Sequence, residues 1–229
     1  MNDVNNQVEN SVRFEKNNKI KDIFEKNKKT FLFIGIALII ISIAIMLFAF
    51  LKNDNIFSFV SNPDGEKFAS EYENLNDKTT EDGKKYPQVN ISNKNVFKYS
   101  TLEEVLNVFN NKGDAVIYFG YAECLYCRNA VQVLYDTAAD TNLDAIYYLD
   151  VKNDVDDSLL KVLGDEFKTE DGQINAPLVL FVVDGQIVSY NIGTLFSQEN
   201  PYIPLDDSQV QGLSEIYRYG INDVLSSIE

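Results

Sequence analysis

The sequence predicts an α/β domain, with a central mixed sheet and flanking helices, that follows one N-terminal transmembrane helix. Three patterns indicate this class. Residues 31–51 form an apolar run of membrane-spanning length. Further along, short apolar runs rich in β-forming residues alternate with helical stretches, which favours parallel pairing of strands. A later Asp184-Gly185 pair between two apolar runs predicts an antiparallel hairpin.

Composition excludes several kinds of chemistry. The 229 residues are 45% apolar and include no histidine and two cysteines, and the net charge is −15. The missing histidine removes histidine-based nucleophilic mechanisms and histidine-ligated metal sites. Two cysteines cannot make a four-cysteine zinc site in one chain, and the acidic charge opposes nucleic-acid binding. We therefore predict no metal, no cofactor and no nucleic-acid partner.

Residues 31–51 are 21 consecutive uncharged residues, roughly 30 Å long as a helix. The alternatives are a buried core helix and a cleavable signal peptide, but no Ala-x-Ala cleavage site follows the run. Residues 11–30 carry seven Lys or Arg, whereas residues 52–71 carry two. This asymmetry predicts an uncleaved signal anchor in the cell membrane, with a cytoplasmic N-terminus and an extracytoplasmic C-terminal domain.

The predicted organisation has four parts. Residues 1–30 form a cytoplasmic tail, 31–51 the anchor, 52–86 a tether and 87–229 the extracytoplasmic domain. Within the tether, Asn62-Pro63-Asp64-Gly65 is a turn signal. A short amphipathic helix follows it, because Phe68, Tyr72 and Leu75 recur at helical spacing.

The domain reads as strands and helices in the order β-α-β-α-β-α-β-β-α. The first helix begins at a capping box around Ser100 and Thr101 and is closed by Gly113. The strands are predicted at 96–99, 115–119, 145–149, 178–183 and 186–190, and the helices after the first at 124–139, 155–167 and 208–228.

The chemistry is predicted at the junction of the second strand and the next helix. Cys124 and Cys127 form a C-x-x-C motif that opens this helix. A helix N-terminus favours thiolate over thiol, and the thiolate is the nucleophile in disulfide exchange. Cys124 should attack or release a substrate disulfide, and Cys127 should resolve the mixed disulfide. The alternatives are a zinc half-site, a structural disulfide and two buried thiols.

These features resemble the thioredoxin superfamily over residues 96–229. The shared motifs are the C-x-x-C pair and, about fifty residues later, Pro177 before an apolar strand and an Asp-Gly hairpin. The resemblance implies that Pro177 is cis and faces the disulfide, and that Ala176 and Pro177 form the substrate-binding loop. Pro177 alone would also fit an ordinary proline at a strand start.

The departures from that family concern residues expected to tune the cysteine pKa. Tyr118 stands where thioredoxins carry a buried Asp, six residues before the first cysteine. Glu123 should oppose thiolate formation at Cys124, whereas Arg128 should favour it. The dipeptide between the cysteines holds neither the proline of thioredoxins nor the histidine of strongly oxidising relatives, which leaves oxidase, reductase and isomerase activity open.

A narrower resemblance concerns residues 66–76 and 118–130. Both segments are similar to membrane-anchored thioredoxin-like proteins of Gram-positive bacteria described as bacteriocin-accessory proteins. Together these observations predict a thiol-disulfide oxidoreductase acting on the thiols or disulfides of exported proteins, with a membrane electron-transfer partner as a further possibility. The alternative is a thioredoxin-fold adaptor or chaperone whose cysteines are not catalytic. Residues 194–207, an insertion, would be either a docking lip for substrate or a surface loop.

Overall fold

The computed structural model describes residues 62–152, 156–195 and 197–228. The predicted tail, the predicted anchor and the first ten residues of the tether lie outside this part. Among the described residues, no helix is both long and apolar enough to cross a bilayer.

The described residues hold ten regular elements, numbered in chain order, and one short 3-10 turn. The helices are α1 (Pro63–Glu73), α2 (Leu102–Asn110), α3 (Leu125–Ala139), α4 (Asp157–Leu163) and α5 (Asp207–Ile228). The strands are β1 (Phe97–Tyr99), β2 (Ala115–Gly120), β3 (Ile146–Asp150), β4 (Leu178–Val183) and β5 (Gln186–Ile192). A 3-10 turn over Asp165–Phe167 follows α4.

The strands form one sheet in the order β1-β3-β2-β4-β5. β3 is parallel to both β1 and β2, while β4 is antiparallel to β2 and to β5. Asp184 and Gly185, both with positive φ, make the turn between β4 and β5. The predicted central mixed sheet with flanking helices is thereby confirmed.

The two faces of the sheet bury different side chains. β2 alternates between them: Val116 and Tyr118 face the side covered by α1, α3 and α5, whereas Ile117 and Phe119 face the side of α2 and α4. All six residues of β2 are buried, because both sides are covered by helices. The α1 side is rich in aromatic rings, and the α2 side is mainly aliphatic.

Helix α1 corrects two predictions. The turn expected at 62–65 is the helix start, since Pro63 occupies the first helical turn, where its missing N–H is not needed. The helix also belongs to the folded core and not to a tether. Phe68 and Tyr72 are fully buried, and the Phe68 ring stacks on Phe97 of β1 at 4.0 Å between centroids.

Smaller corrections concern helix ends. The capping box is made by Thr101 and Glu104, and α2 ends at Asn110, before Gly113. The helix expected over 155–167 is split at Gly164, whose φ of 96° is outside helical geometry. β5 runs two residues past the expected end, to Ile192.

Candidate functional site

Cys124 and Cys127 lie at the junction of β2 and α3. Cys124 caps the helix in an extended conformation, and the two cysteines form a disulfide with Cα atoms 5.0 Å apart. Cys127 is fully buried, whereas Cys124 is partly exposed. Solvent therefore reaches the disulfide through Cys124.

The Cys124 sulfur contacts two backbone groups. It accepts a hydrogen bond from the N–H of Cys127 at 3.1 Å, a free donor of the first helical turn. It also lies 3.8 Å from the carbonyl oxygen of Ala176. The Ala176–Pro177 peptide is cis, as the resemblance implies. The structure thus brings together four predicted site residues, Cys124, Cys127, Ala176 and Pro177.

Two grooves meet at Ala176. One, of about 760 Å³, has walls that include Tyr126 from the cysteine dipeptide and Ile192 of β5. The other, of about 430 Å³, is lined by Lys152 and Gln173 among other side chains. A chain segment bound beside Cys124 would therefore find open space on both sides of Ala176.

Glu123 is paired with a residue that sequence reasoning missed. Its carboxylate accepts a hydrogen bond from Nζ of Lys152 at 3.0 Å. This bond lowers the pKa of Glu123 from its usual value and raises the pKa of Lys152. Lys152 lies 29 positions away in the loop after β3, so only the pairing of β2 with β3 could have indicated it.

The guanidinium of Arg128 is fully buried and is directed to neutral oxygen atoms. It donates to the carbonyls of Pro87, Tyr72 and Ala122 and to the side-chain oxygen of Asn76. Burial lowers the pKa of Arg128 below its usual value. Arg128 therefore links residues 72–87 to the helix that carries the cysteines. Its influence on the Cys124 thiolate stays a prediction.

Tyr118 hydrogen-bonds to another buried tyrosine. Its hydroxyl lies 2.9 Å from the hydroxyl of Tyr72, and its ring stacks with Tyr148 at 5.6 Å. Burial and the neighbouring Tyr72 raise the pKa of Tyr118 well above its usual value, so the phenol is neutral at physiological pH. Tyr118 therefore lies in the aromatic core, and its effect on the cysteines stays a prediction.

The insertion 194–207 is anchored close to the cysteines. Asn129, two residues after Cys127, donates a hydrogen bond to the carbonyl of Pro201 at 2.9 Å. Tyr202 donates to Asp82 at 2.8 Å, and Ile203 is mostly exposed. Phe196, within the segment expected to be either a docking lip or a surface loop, lies outside the described residues.

Similarity to known proteins is found among solved structures. No protein-family model matches the chain, and no curated protein matches it. A similar solved structure is the solution structure of desulfothioredoxin from Desulfovibrio vulgaris Hildenborough in its reduced form. It is 23% identical, with 53% of this chain and 95% of that chain covered and a TM-score of 0.34.

Proposed function

We propose that this chain is a thiol-disulfide oxidoreductase of thioredoxin-like fold. One observation carries the proposal: a disulfide at the start of a helix, with its partly exposed sulfur bonded to a helix N–H and beside Ala176. This geometry favours a thiolate at Cys124 after reduction. The sheet order and the cis peptide before β4 also support it.

The exchange proceeds by two displacements at sulfur. In the reducing direction, the Cys124 thiolate attacks one sulfur of a substrate disulfide and releases the other as a thiolate. The Cys127 thiol then loses its proton and attacks Cys124, which frees the second substrate thiolate and leaves the Cys124–Cys127 disulfide. The oxidising direction is the same sequence reversed, with substrate thiols supplying the electrons.

The proposed setting is the outer side of the cell membrane. Residues 31–51 would anchor the chain, and the substrates would be thiols or disulfides of exported proteins, since disulfides persist outside the cytoplasm. A membrane electron-transfer partner would be needed for continued reduction. The narrower relation to bacteriocin-accessory proteins belongs to this proposal and rests on sequence resemblance alone.

Trapping of substrates tests the proposal. Full-length Cys127→Ala, expressed in its host membrane, should accumulate mixed disulfides with exported proteins, because the resolving thiol is missing. Cys124→Ser and the double variant should accumulate none. An adaptor whose cysteines are not catalytic would behave alike in all four forms, and that result would overturn the proposal.

The equilibrium with glutathione decides the direction. The reduction potential of the detergent-solubilised chain is measured by the fraction of disulfide in glutathione buffers of known ratio. A value near about −120 mV indicates a donor of disulfides, and one near about −270 mV indicates a reductase.

A further inference from the structure

The residue that precedes the candidate attacking cysteine takes part in an ion pair. Glu123 precedes Cys124 in the chain, and its carboxylate is 3.0 Å from Nζ of Lys152. The two side chains meet because β2 and β3 are parallel and end together, with Gly120 paired to Asp150. The N–H of Val151 then bonds to the carbonyl of Gly120 at 3.3 Å, which holds the two loops side by side.

We propose that Lys152 is a positioning residue for disulfide exchange: it holds and neutralises the Glu123 carboxylate and so stabilises the thiolate of Cys124. The inference rests on the proposed function, because only a reacting cysteine needs this thiolate. Lys152 acts through Glu123 and is not itself placed in contact with the sulfur.

The effect of Lys152 on Cys124 is electrostatic. An unpaired carboxylate next to Cys124 would repel the negative charge that appears when the disulfide is reduced. With Lys152 bound, the pair is close to neutral, and the helix N-terminus is left to favour the thiolate. Both side chains are about half exposed, so the effect on the thiolate is moderate.

Other ionisable groups lie around the site, and the proposed variants leave them in place. They are Tyr121, Tyr126, Arg128, Asp150 and Asp171. Arg128 is directed to Ala122 and other neutral oxygens, and Asp171 lines the same groove as Lys152. None of them is changed in the variants that follow.

The equilibrium with glutathione transfers two electrons to the protein disulfide. Two glutathione thiols give two electrons and become one glutathione disulfide, with release of two protons. The protein disulfide takes the two electrons and one proton and becomes the Cys124 thiolate and the Cys127 thiol. Stabilising the thiolate therefore shifts this equilibrium toward the reduced protein.

A double-mutant cycle separates the action of Lys152 from that of Glu123. Full-length wild type, Lys152→Met, Glu123→Gln and the double variant are reduced, and the pH profile of Cys124 alkylation by iodoacetamide is recorded for each. The glutathione equilibrium constant is measured in parallel. Lys112→Met is the matched control, since Lys112 pairs with Asp184 at the hairpin and makes no contact with the cysteines.

Lys152→Met should raise the pH at which Cys124 becomes reactive and lower the thiolate fraction at pH 7 by roughly three-fold. The glutathione equilibrium should shift toward the disulfide by a similar factor. Glu123→Gln should shift both quantities only slightly and in the opposite direction, because its carboxylate is already largely neutralised, and adding Lys152→Met to it should change little. Lys112→Met should behave as wild type.

Two results would overturn the inference. Either Lys152→Met leaves the profile and the equilibrium unchanged, or it shifts them equally with and without Glu123, which would mean direct action on the sulfur. These measurements use only glutathione and iodoacetamide, so they stand apart from the trapping of exported proteins. A cycle that behaves as expected in a chain that traps no protein would overturn the proposed function alone.

Discussion

Arg128 donates a hydrogen bond of 2.7 Å from its guanidinium to the carbonyl oxygen of Tyr72, 56 residues earlier. Tyr72 lies near the end of α1, and Arg128 directly follows the second cysteine in α3. A buried cation thus joins the first helix of the described chain to the cysteine helix. Because Arg128 donates its hydrogen bonds to neutral oxygens of Pro87, Ala122 and Asn76 as well as Tyr72, its removal leaves several buried acceptors unpaired.

We expect Arg128→Met to lower the free energy of unfolding by about 3 kcal/mol, because buried acceptors lose a charged donor. Urea denaturation of the two proteins measures it. The control is Arg218→Met, because Arg218 is half exposed and its ion pair with Asp140, at 3.4 Å, lies at the surface. Surface ion pairs contribute little, so we expect this variant to change the free energy of unfolding by no more than about 0.5 kcal/mol. Equal effects of the two variants would contradict the tie described for Arg128.

The buried tyrosines predict a loss of stability at alkaline pH. Burial raises the pKa of Tyr72 and Tyr118 above the usual value of 10.0. Because the unfolded state releases these protons first, their contribution is full below about pH 10 and is lost as pH rises further, by up to about 1.4 kcal/mol per pH unit for each group.

Unfolding in urea at pH 8 and pH 10.5 tests this. The double variant Tyr72→Phe/Tyr118→Phe should lose less stability between the two pH values than wild type does. Tyr219→Phe is the control, because Tyr219 is 67% exposed and should leave the pH dependence unchanged. The same pH dependence in all three proteins would show that these phenols do not carry it.

The insertion 194–207 is tied to an earlier loop through Asp82. The hydroxyl of Thr80 donates to one oxygen of this carboxylate, and Tyr202 donates to the other at 2.8 Å. These bonds, with that of Thr80 the larger cause, lower the pKa of Asp82 to about 2 from 3.8. Because the pKa is lowered, the stabilisation from these hydrogen bonds is full above about pH 4 and is lost as the pH falls through about 2.

We expect Tyr202→Phe to raise the pKa of Asp82, and Thr80→Val to raise it more. Titration of the side-chain carboxyl carbon by NMR follows the change. Tyr219→Phe again serves as the control and should leave Asp82 as in wild type. An unshifted Asp82 in Tyr202→Phe would mean that the insertion is not held by this bond.

Helix α5 packs closely against the sheet at Gly220. A Cβ built on Gly220 would overlap the ring of Phe181 in β4, and Gly220 is buried. Gly220→Ala should therefore cost about 2 kcal/mol through overpacking, in spite of the helix propensity of Ala. Gly212→Ala in the same helix meets only the end of the Leu195 side chain, at 3.1 Å, and should be neutral or mildly stabilising.

Local signals predicted most of the regular elements. The strands around Ile117 and Leu180 were evident from apolar runs, and the hairpin from Asp184-Gly185, because each depends on neighbours in sequence. Residues 62–65 were predicted as a turn but begin a helix, because proline and glycine favour a turn as readily as a helix start. Gly164 split a helix whose apolar periodicity continues across it, since periodicity does not report φ.

The candidate site was predictable only as far as it is local. The C-x-x-C pair and Pro177 carried recognisable spacing, and the structure brings Cys124 and Ala176 together. The partner of Glu123 and the burial of Arg128 depend on strand pairing and on α1, which one sequence does not reveal. The sequence therefore shows that Glu123 and Arg128 carry charge near the cysteines, but it does not show which groups these side chains contact.

The separation of 52 positions between Cys124 and Ala176 has a consequence for biogenesis. A ribosome completes both cysteines well before it reaches the loop that lies against Cys124. Since the chain has no other cysteine, the nascent thiols can pair only with each other or with a foreign thiol. The disulfide can thus form within a four-residue segment before β4, β5 and α5 pack around the site.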